Sequence, residues 1–175
     1  ENRLLTASDF EFRLWNLSSG KPLAAQEGYG FSITQLALSP DGRYLAAKDN
    51  NSVKIWDTSE GRLRAALLLQ TPRFALFTAD GQRLLVGEGK NQFKILSFLD
   101  GKIIETIERQ ASADIGAVSK DGKYFAVGSS AGSIDLYTTN PISRFLTLPN
   151  SEKASSIAFS PDGKMIAASM SPGPI

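Results

Sequence analysis

Carboxylates recur at a fixed interval along this 175-residue chain, and each of them is followed directly by glycine. Four of the five Asp-Gly pairs begin at Asp41, Asp80, Asp121 and Asp162, which are separated by 39, 41 and 41 residues. Paired carboxylates can act as general acid and base, but an Asp-Gly pair is also a common centre of a tight turn. Pro precedes two of the pairs, and Pro, Asp and Gly each favour a turn conformation. We therefore interpret the four aspartates as turn formers and not as catalytic residues.

The chain contains no histidine and no cysteine. Histidine is the commonest general base near neutral pH and the commonest metal ligand, and cysteine supplies thiolate nucleophiles and disulfides. Without them, catalysis would need paired carboxylates, a Ser-Lys pair or a carboxylate-bound metal, and the acidic residues do not form convergent clusters. The segment GEGKNQ at 87–92 is shorter than a phosphate-binding loop of the form GxxxxGK[ST]. We predict a protein that is not an enzyme and that uses no cofactor or metal.

The overall charge and hydropathy point to an ordinary globular protein. Nineteen Lys and Arg against 18 Asp and Glu leave a net charge of +1 at pH 7, which gives no general case for nucleic-acid binding. The longest apolar run, at 65–69, is far shorter than the ~20 residues that cross a bilayer. We expect a cytoplasmic protein that binds neither nucleic acid nor membrane. Export stays open, because cysteine-free proteins occur in both compartments.

A second landmark repeats with the same period as the turns. The segments FRLW, VKIW, FKIL and IDLY end at Trp15, Trp56, Leu96 and Tyr137, at intervals of 41, 40 and 41 residues. Within each period, short segments rich in Val, Ile, Leu, Phe and Tyr are separated by Gly, Asp, Asn and Ser, which indicates four short strands. Several of these segments are almost continuously apolar, as expected for strands covered on both faces. No convincing helical pattern of ten or more residues lies between them, which argues against a parallel α/β fold.

These motifs resemble the WD-repeat β-propeller family over essentially the whole chain. The copy LALSPDGRYLAAKDNNSVKIWDTSEGRL at 36–63 shows the resemblance best, and FRLWNLSSGKPL and IAFSPDGKMIAAS are parts of two further copies. The resemblance implies an all-β fold, a β-propeller of four-stranded antiparallel blades, with about four and a half blades present. The expected repeats are 1–27, 28–68, 69–108, 109–149 and 150–175.

The chain departs from the family in its polar residues. The family's hydrogen-bonded set of His, Asp, Ser or Thr, and Trp cannot form here in its usual shape, because histidine is absent. Tyr29 occupies the histidine position, and Asn50 stands six residues before Trp56, where the family has Asp. Asp9 keeps that position before Trp15. We expect blade stability to come mainly from apolar packing between sheets, at roughly 25 cal/mol per Å² buried.

The number of strands bears on whether the ring is complete. The repeats predict three full blades, one three-stranded blade and one half blade, whereas propellers have about four to eight blades and the resemblance implies about seven. An open arc would leave apolar blade faces and strand edges bare. We expect the chain to form part of a larger ring, completed by the rest of the polypeptide or by another copy. The alternative is a closed four-blade ring in which residues 156–159 supply the missing strand of the first blade.

The resemblance implies that partners bind to loops at the ends of the ring, so we predict a non-catalytic protein-protein interaction scaffold. The loop residues of the types that commonly anchor interfaces are Phe10, Tyr29, Phe31, Arg73 and Arg109. At the opposite rim, Arg43, Gln82, Lys123 and Lys164 follow the Asp-Gly turns. The neighbouring aspartates largely cancel the charge there, so we expect a solvated surface.

A second class of function stays open at this point. Repeats with SPDGK also occur in propellers attached to serine peptidases and in exported TolB-like proteins. The alternative is therefore an accessory or sensor propeller domain of a larger enzyme, such as a peptidase, NTPase or kinase fusion. In either case the expected partner is another protein, or further blades that complete the ring.

Overall fold

The computed structural model describes residues 3–7, 12–26, 32–88, 91–130, 132–149 and 153–171. Within these ranges every regular element is a β-strand, and no helix is long and apolar enough to cross a membrane. The 17 strands of the described ranges form five antiparallel sheets, and in each sheet the strands pair in chain order.

The strand bounds follow the repeats. Sheet 1 contains β1 (Arg3–Ala7), β2 (Phe12–Asn16) and β3 (Lys21–Gln26). Sheet 2 contains β4 (Gln35–Leu38), β5 (Tyr44–Lys48), β6 (Ser52–Asp57) and β7 (Arg62–Leu68). Sheet 3 contains β8 (Pro72–Phe77), β9 (Arg83–Glu88), β10 (Gln92–Ser97) and β11 (Ile103–Glu108). Sheet 4 contains β12 (Ile115–Val118), β13 (Tyr124–Gly128), β14 (Ser133–Thr139) and β15 (Ile142–Pro149). Sheet 5 contains β16 (Lys153–Phe159) and β17 (Ile166–Ser171).

The strand pairing tests the closed four-blade arrangement that the sequence allowed. Three sheets have four strands, the first has three and the last has two, which confirms the all-β fold with four-stranded antiparallel blades. The ring is not closed in the described residues. The closed four-blade alternative is wrong, because residues 156–159 lie in β16, which pairs with β17 and not with β1.

The first strands of consecutive sheets lie side by side. β4 contacts β8, β8 contacts β12, and β12 contacts β16. The last strands, β7, β11 and β15, lie at the far edges of their sheets, where most of their residues are exposed. Sheets 2 to 5 therefore form an arc whose inner side is built from the first strand of each sheet.

Each internal sheet is covered by apolar residues on both faces. In β9, Leu84 and Val86 belong to the core between sheets 2 and 3, whereas Leu85 belongs to the core between sheets 3 and 4. Successive side chains of a strand point to opposite faces, so a strand buried on both sides must be apolar at consecutive positions. This packing explains the almost continuous apolar runs in the sequence.

Aromatic side chains fill the core between sheets 3 and 4. Phe93 makes edge contacts with Phe125 and Tyr137, at centroid distances of 5.6 and 5.2 Å. Phe125 and Tyr137 stack at 4.8 Å. Edge and stacked geometries of this kind are favourable beyond the area that they bury. Tyr137, which stands where other repeats have Trp, is thus part of the core and only 3% exposed.

The Asp-Gly turns share one pattern of hydrogen bonds. Ser39 Oγ donates to Asp41 Oδ1 at 2.5 Å, the backbone N of Arg43 donates to the same oxygen at 3.0 Å, and Gly42 has a φ of 70°. The same contacts recur at the turns of Asp80, Asp121 and Asp162. At Asp41 the hydroxyl bond and then the backbone bond hold the pKa of the carboxyl below its usual value. The prediction that these aspartates form turns is confirmed.

The last strand of each of the first four sheets carries an extra residue. The register between the third and fourth strands shifts immediately before each landmark residue, between 14 and 15, 55 and 56, 95 and 96, and 136 and 137. The extra residues on the outer strands are Leu23, Arg64, Ile104 and Phe145. Such bulges disrupt the regular row of backbone groups at a sheet edge.

Asp57, at the end of the IWD motif, organises the turn between β6 and β7. Its side chain is fully buried, and Oδ1 accepts from the hydroxyl of Ser59 at 2.5 Å and from the backbone N of Ser59 at 2.9 Å. Oδ2 lies 3.2 Å from Arg64 Nη2. Next to it, Thr58 Oγ1 donates to the carbonyl of Gly42 at 2.7 Å, which joins this turn to the Asp-Gly turn of the same sheet.

Substitution of Gly87 tests the close approach of neighbouring sheets. A Cβ at this position of β9 would overlap the ring of Phe74 and lie 2.6 Å from the carbonyl oxygen of Ala113. We expect Gly87→Ala to lower the free energy of unfolding by about 3 kcal/mol, measured by urea denaturation. Gly20→Ala is the control: Gly20 has a φ of 65° but no atom within 4 Å of a Cβ, so only the backbone cost of about 1 kcal/mol applies. An equal or smaller loss for Gly87→Ala would contradict this packing.

The Asp57 carboxylate should make the free energy of unfolding depend on pH. The Ser59 hydroxyl bond outweighs the effect of burial and holds the pKa of Asp57 well below its usual value. Because the folded-state pKa is the lower one, the carboxylate stabilises the fold above about pH 4, and this contribution is lost as the pH falls further. Denaturation curves between about pH 5 and pH 2 should therefore show a smaller loss of stability for Asp57→Asn than for the original chain. Identical pH dependence of the two proteins would refute this role.

Candidate partner-binding site

The first strands of sheets 2 to 5 begin at one end of the arc, where they surround a polar depression. Its volume is about 320 Å³, and a second depression of about 400 Å³ continues from it. The two share Arg73, Asp114, Ile115 and Ser155. We call this surface the inner-end site; its polar lining residues are Thr34, Gln35, Lys48, Arg73, Asp114, Ser130, Lys153, Ser155 and Ser156.

Equivalent positions of three sheets meet at the inner-end site. Arg73, Asp114 and Ser155 are each 41 residues apart. Arg73 is the extra residue of a bulge in β8, because the register with β9 shifts between Pro72 and Phe74. Ser155 has the same role in β16, where the register shifts between Ala154 and Ser156. A bulge leaves its extra residue out of the ladder and redirects the side chain, a device often found next to functional sites.

Lys48, at the end of β5, is a buried cation that joins two sheets. It is only 6% exposed, and its Nζ donates to Thr34 Oγ1 at 2.7 Å and to the carbonyl of Pro72 at 3.1 Å. It also donates to the carbonyl of Asp49 at 3.3 Å. Burial, together with the positive charge of Arg73, lowers the pKa of Lys48. The bond to Pro72 fixes the start of β8, immediately before the bulge at Arg73.

Asp114 holds the loop around the site. Its Oδ2 accepts from Ser112 Oγ at 2.5 Å and from the backbone N of Ser130 at 2.7 Å, and Oδ1 lies 3.7 Å from Arg73 Nε. Burial alone would raise the pKa of Asp114, but these hydrogen bonds and the charge of Arg73 lower it overall. The carboxylate is therefore ionised at neutral pH and already engaged by its own chain.

The structure places the predicted partner-binding residues in different environments. Arg73 lines the inner-end site, and its side chain is 55% exposed. Phe10, Tyr29 and Phe31 lie outside the described residues, so their assignment remains a prediction. Arg109 requires a correction, because its side chain is 0% exposed and is not available on a loop.

Arg109 is buried because sheet 4 has an unusual carboxylate. Its Nε donates to Asp135 Oδ2 at 2.9 Å, its Nη2 donates to the carbonyl of Val127 at 3.0 Å, and its Nη1 donates to the carbonyl of Ser112. Asp135 Oδ1 accepts from Thr147 Oγ1 at 2.6 Å. The corresponding positions of the first three repeats carry Arg13, Lys54 and Lys94. An acidic residue at this buried position needs a cation, and Arg109 supplies it.

Two residues of the site region were missed by sequence reasoning. Lys48 is not among the candidate residues that the sequence suggests, and Asn50 was assigned to the family's Asp position. The buried carboxylate is in fact that of Asp49, which is 1% exposed and accepts from the backbone and hydroxyl of Ser52, both at 2.6 Å. Asn50 is exposed. The Asp49-to-Ser52 spacing, typical of a carboxylate that caps its own turn, was the signal that could have identified it.

Sheet 1 contains one hydrogen bond like those of the family's set of His, Asp, Ser or Thr, and Trp. Trp15 Nε1 donates to Thr6 Oγ1 at 2.9 Å, which is a Trp-to-Thr bond between neighbouring strands. Asp9, Lys90 and Ala131, which fill or replace the family's Asp, lie outside the described residues.

The opposite rim has the charge balance that the sequence predicted. Arg43, Gln82, Lys123 and Lys164 are all exposed. Lys123 lies 3.7 Å from Asp121, and Arg43 lies 3.5 Å from Asp57 and over the ring of Tyr44. The cations of this rim are therefore partly neutralised by their own turns.

Comparison with known proteins agrees with the fold. Residues 20–57 match the family model described as WD domain, G-beta repeat. Ribosome assembly protein 4 of Saccharomyces cerevisiae is 43% identical over 35% of this chain and 13% of its own length. The WD repeat-containing protein WDS homolog of Arabidopsis thaliana is 24% identical over 78% of this chain and 28% of its own. Telomerase protein component 1 of Mus musculus is 27% identical over 83% of this chain and 6% of its own.

The chain spans 28% or less of the length of each of these three relatives. The matching model and the relatives are those of WD-repeat proteins, and the five sheets have the blade architecture that such repeats imply. The resemblance inferred from the motifs is therefore confirmed.

Removal of Arg109 should be far more destabilising than removal of Arg73. Arg109→Met leaves the Asp135 carboxylate buried with Thr147 and a distant Arg144, so we expect a loss of about 3–5 kcal/mol in the free energy of unfolding. Arg73→Met removes an exposed ion pair and should change stability by about 1 kcal/mol at most. The double variant Arg109→Met with Asp135→Asn should recover part of the loss, because no unpaired charge remains. Equal effects of the two single variants in urea denaturation would show that the Arg109 pair is not structural.

Proposed function

We propose that this chain, which is built from WD-type β-propeller blades, is a non-catalytic scaffold that binds another protein at the inner-end site. One observation carries the proposal: the strand starts of four consecutive sheets converge on a single polar depression. A partner that docks there meets side chains from several blades at once. Its affinity would come from a composite surface held by rigid sheets.

The framework beneath the site supports this role. Phe74, which follows the Arg73 bulge, is 3% exposed and packs in the core between sheets 3 and 4. Lys48 and Asp114 fix the strand start and the loop on either side of Arg73. Preorganised contacts of this kind reduce the entropy that a surface loses when it binds.

The arrangement of the carboxylates also favours binding over catalysis. The Asp-Gly aspartates each accept hydrogen bonds within their own turn, at the end of the sheets away from the inner-end site. Asp114 is engaged by Ser112 and Ser130. These carboxylates therefore serve the fold and do not form a pair that could act as acid and base.

A relative with the same kind of repeat is named for an assembly process, the assembly of ribosomes. A role in bringing proteins together agrees with that name. The propeller geometry supplies the surface for such a role whichever process is served.

Site-specific cross-linking can test the proposal, because the chain has no native cysteine. Ser156→Cys places one thiol at the inner-end site, and Gln82→Cys places one on the exposed opposite rim. Each full-length variant is labelled with a benzophenone maleimide, irradiated in an extract of its own cells and analysed by mass spectrometry. We expect one protein to be cross-linked reproducibly from position 156 and not from position 82. Cross-links from position 82 alone, or from neither position, would overturn the proposal.

A further inference from the structure

We propose that the inner-end site binds an acidic segment of its partner protein, with Arg73 and Lys153 as the cations that contact the segment's carboxylates. The inference rests on the proposed function and adds the chemistry of the ligand. It follows from the charges of the lining residues, from the groups that are already engaged and from the shape of the depression.

The inner-end site concentrates positive charge in a chain that is nearly neutral overall. Its described lining residues include the cations Lys48, Arg73 and Lys153 and the single carboxylate Asp114. At the opposite rim, by contrast, Arg43 and Lys123 each lie within ion-pair distance of an aspartate. The inner-end site therefore carries a local surplus of cations, although the whole chain carries only +1.

The single carboxylate does not neutralise these cations. Asp114 Oδ2 already accepts two hydrogen bonds from its own loop, and its contact with Arg73 Nε is 3.7 Å long. Among the described residues, that contact is the one ion pair of Arg73, and Lys153 makes none. The planar guanidinium of Arg73 is thus available for two parallel bonds to a carboxylate.

Lys48 contributes positive charge to the inner-end site but does not contact the ligand directly. Its ammonium group already donates to Thr34 and to the carbonyls of Pro72 and Asp49, and it is 6% exposed. Burial lowers the pKa of Lys48; the neighbouring Asp49 carboxylate partly offsets this effect, and the weaker repulsion from Arg73 adds to the lowering. An anion bound beside Arg73 would reduce this repulsion.

The shape of the site favours an acidic peptide over a nucleic acid. Depressions of about 320 and 400 Å³ admit a few side chains. The aromatic residue among the described lining residues is Phe74, which is 3% exposed and cannot serve as a platform for bases. The uncharged polar lining groups are hydroxyls and an amide, among them Thr34, Gln35 and Ser130, which suit the polar backbone of a peptide.

Fluorescence anisotropy with the full-length protein tests the inference. The probes are fluorescein-labelled tetraglutamate, its tetraglutamine counterpart and a single-stranded oligouridine. We expect tetraglutamate to bind at least about tenfold more tightly than tetraglutamine, and its binding to weaken on going from about 50 to 300 mM salt. Arg73→Gln and Lys153→Gln should each weaken tetraglutamate binding about three- to tenfold. Lys123→Gln, which removes an exposed cation of the opposite rim, is the matched control and should leave it unchanged.

Three results would overturn the inference: equal binding of the two peptides, equal effects of Arg73→Gln and Lys123→Gln, or preferential binding of the oligouridine. The cross-linking experiment separates this outcome from failure of the scaffold proposal. A partner that is cross-linked from position 156 and retained by Arg73→Gln would leave the scaffold proposal intact and exclude an acidic ligand.

Discussion

The face-to-face packing of neighbouring sheets is the constraint on which the rest of this structure depends. Leu84 and Val86 of β9 face sheet 2 while Leu85 faces sheet 4, so a single strand serves two cores. The inner strands approach so closely that a Cβ at Gly116 would overlap the ring of Phe74, and one at Gly128 would overlap Ile157 and Ile115. Glycine fits at these points because a neighbouring side chain occupies the space that a Cβ would need. The close approach also brings the strand starts together, and this forms the inner-end site.

Polar groups supplement this packing differently in each sheet. Without histidine, the chain uses Trp15 with Thr6 in sheet 1 and Asp49 with Ser52 in sheet 2. Sheet 3 has Lys94 at 2.8 Å from the buried Glu88, and sheet 4 has Arg109 with Asp135. Each buried charge thus has its own partner within the same repeat. The repeats share a backbone, an apolar core and the hydrogen bonds of the Asp-Gly turns, but not these buried polar pairs.

The period of the landmarks was enough to predict the strand order and the incomplete first and last sheets. Those features depend on turns and apolar runs, each of which is formed by residues that are close together in the sequence. The environment of Arg109 could not be predicted in the same way, because it depends on Asp135, which lies in a different strand. Lys48 escaped notice for a similar reason, since the carbonyl of Pro72 that it binds is 24 residues away. The bulge at Arg73 has no signal in the strand pattern, because a shift of one residue becomes visible only when the partner strand is known.

The equivalence of Arg73, Asp114 and Ser155 has a consequence for how this surface can diversify. The bulge keeps Arg73 out of the strand ladder, so its side chain is not tied to the register of the sheet. Ser155 is also a bulge residue, but its Oγ lies 2.8 Å from Ser169 Oγ of β17. Sheets 3, 4 and 5 each present one of these equivalent positions at the inner-end site. A substitution at one of these positions changes the charge that a single repeat contributes to the inner-end site. The apolar residues between the sheets are not affected. At Arg73, whose ion pair is exposed, such a change would cost little stability, whereas Asp114 is held by Ser112 and Ser130.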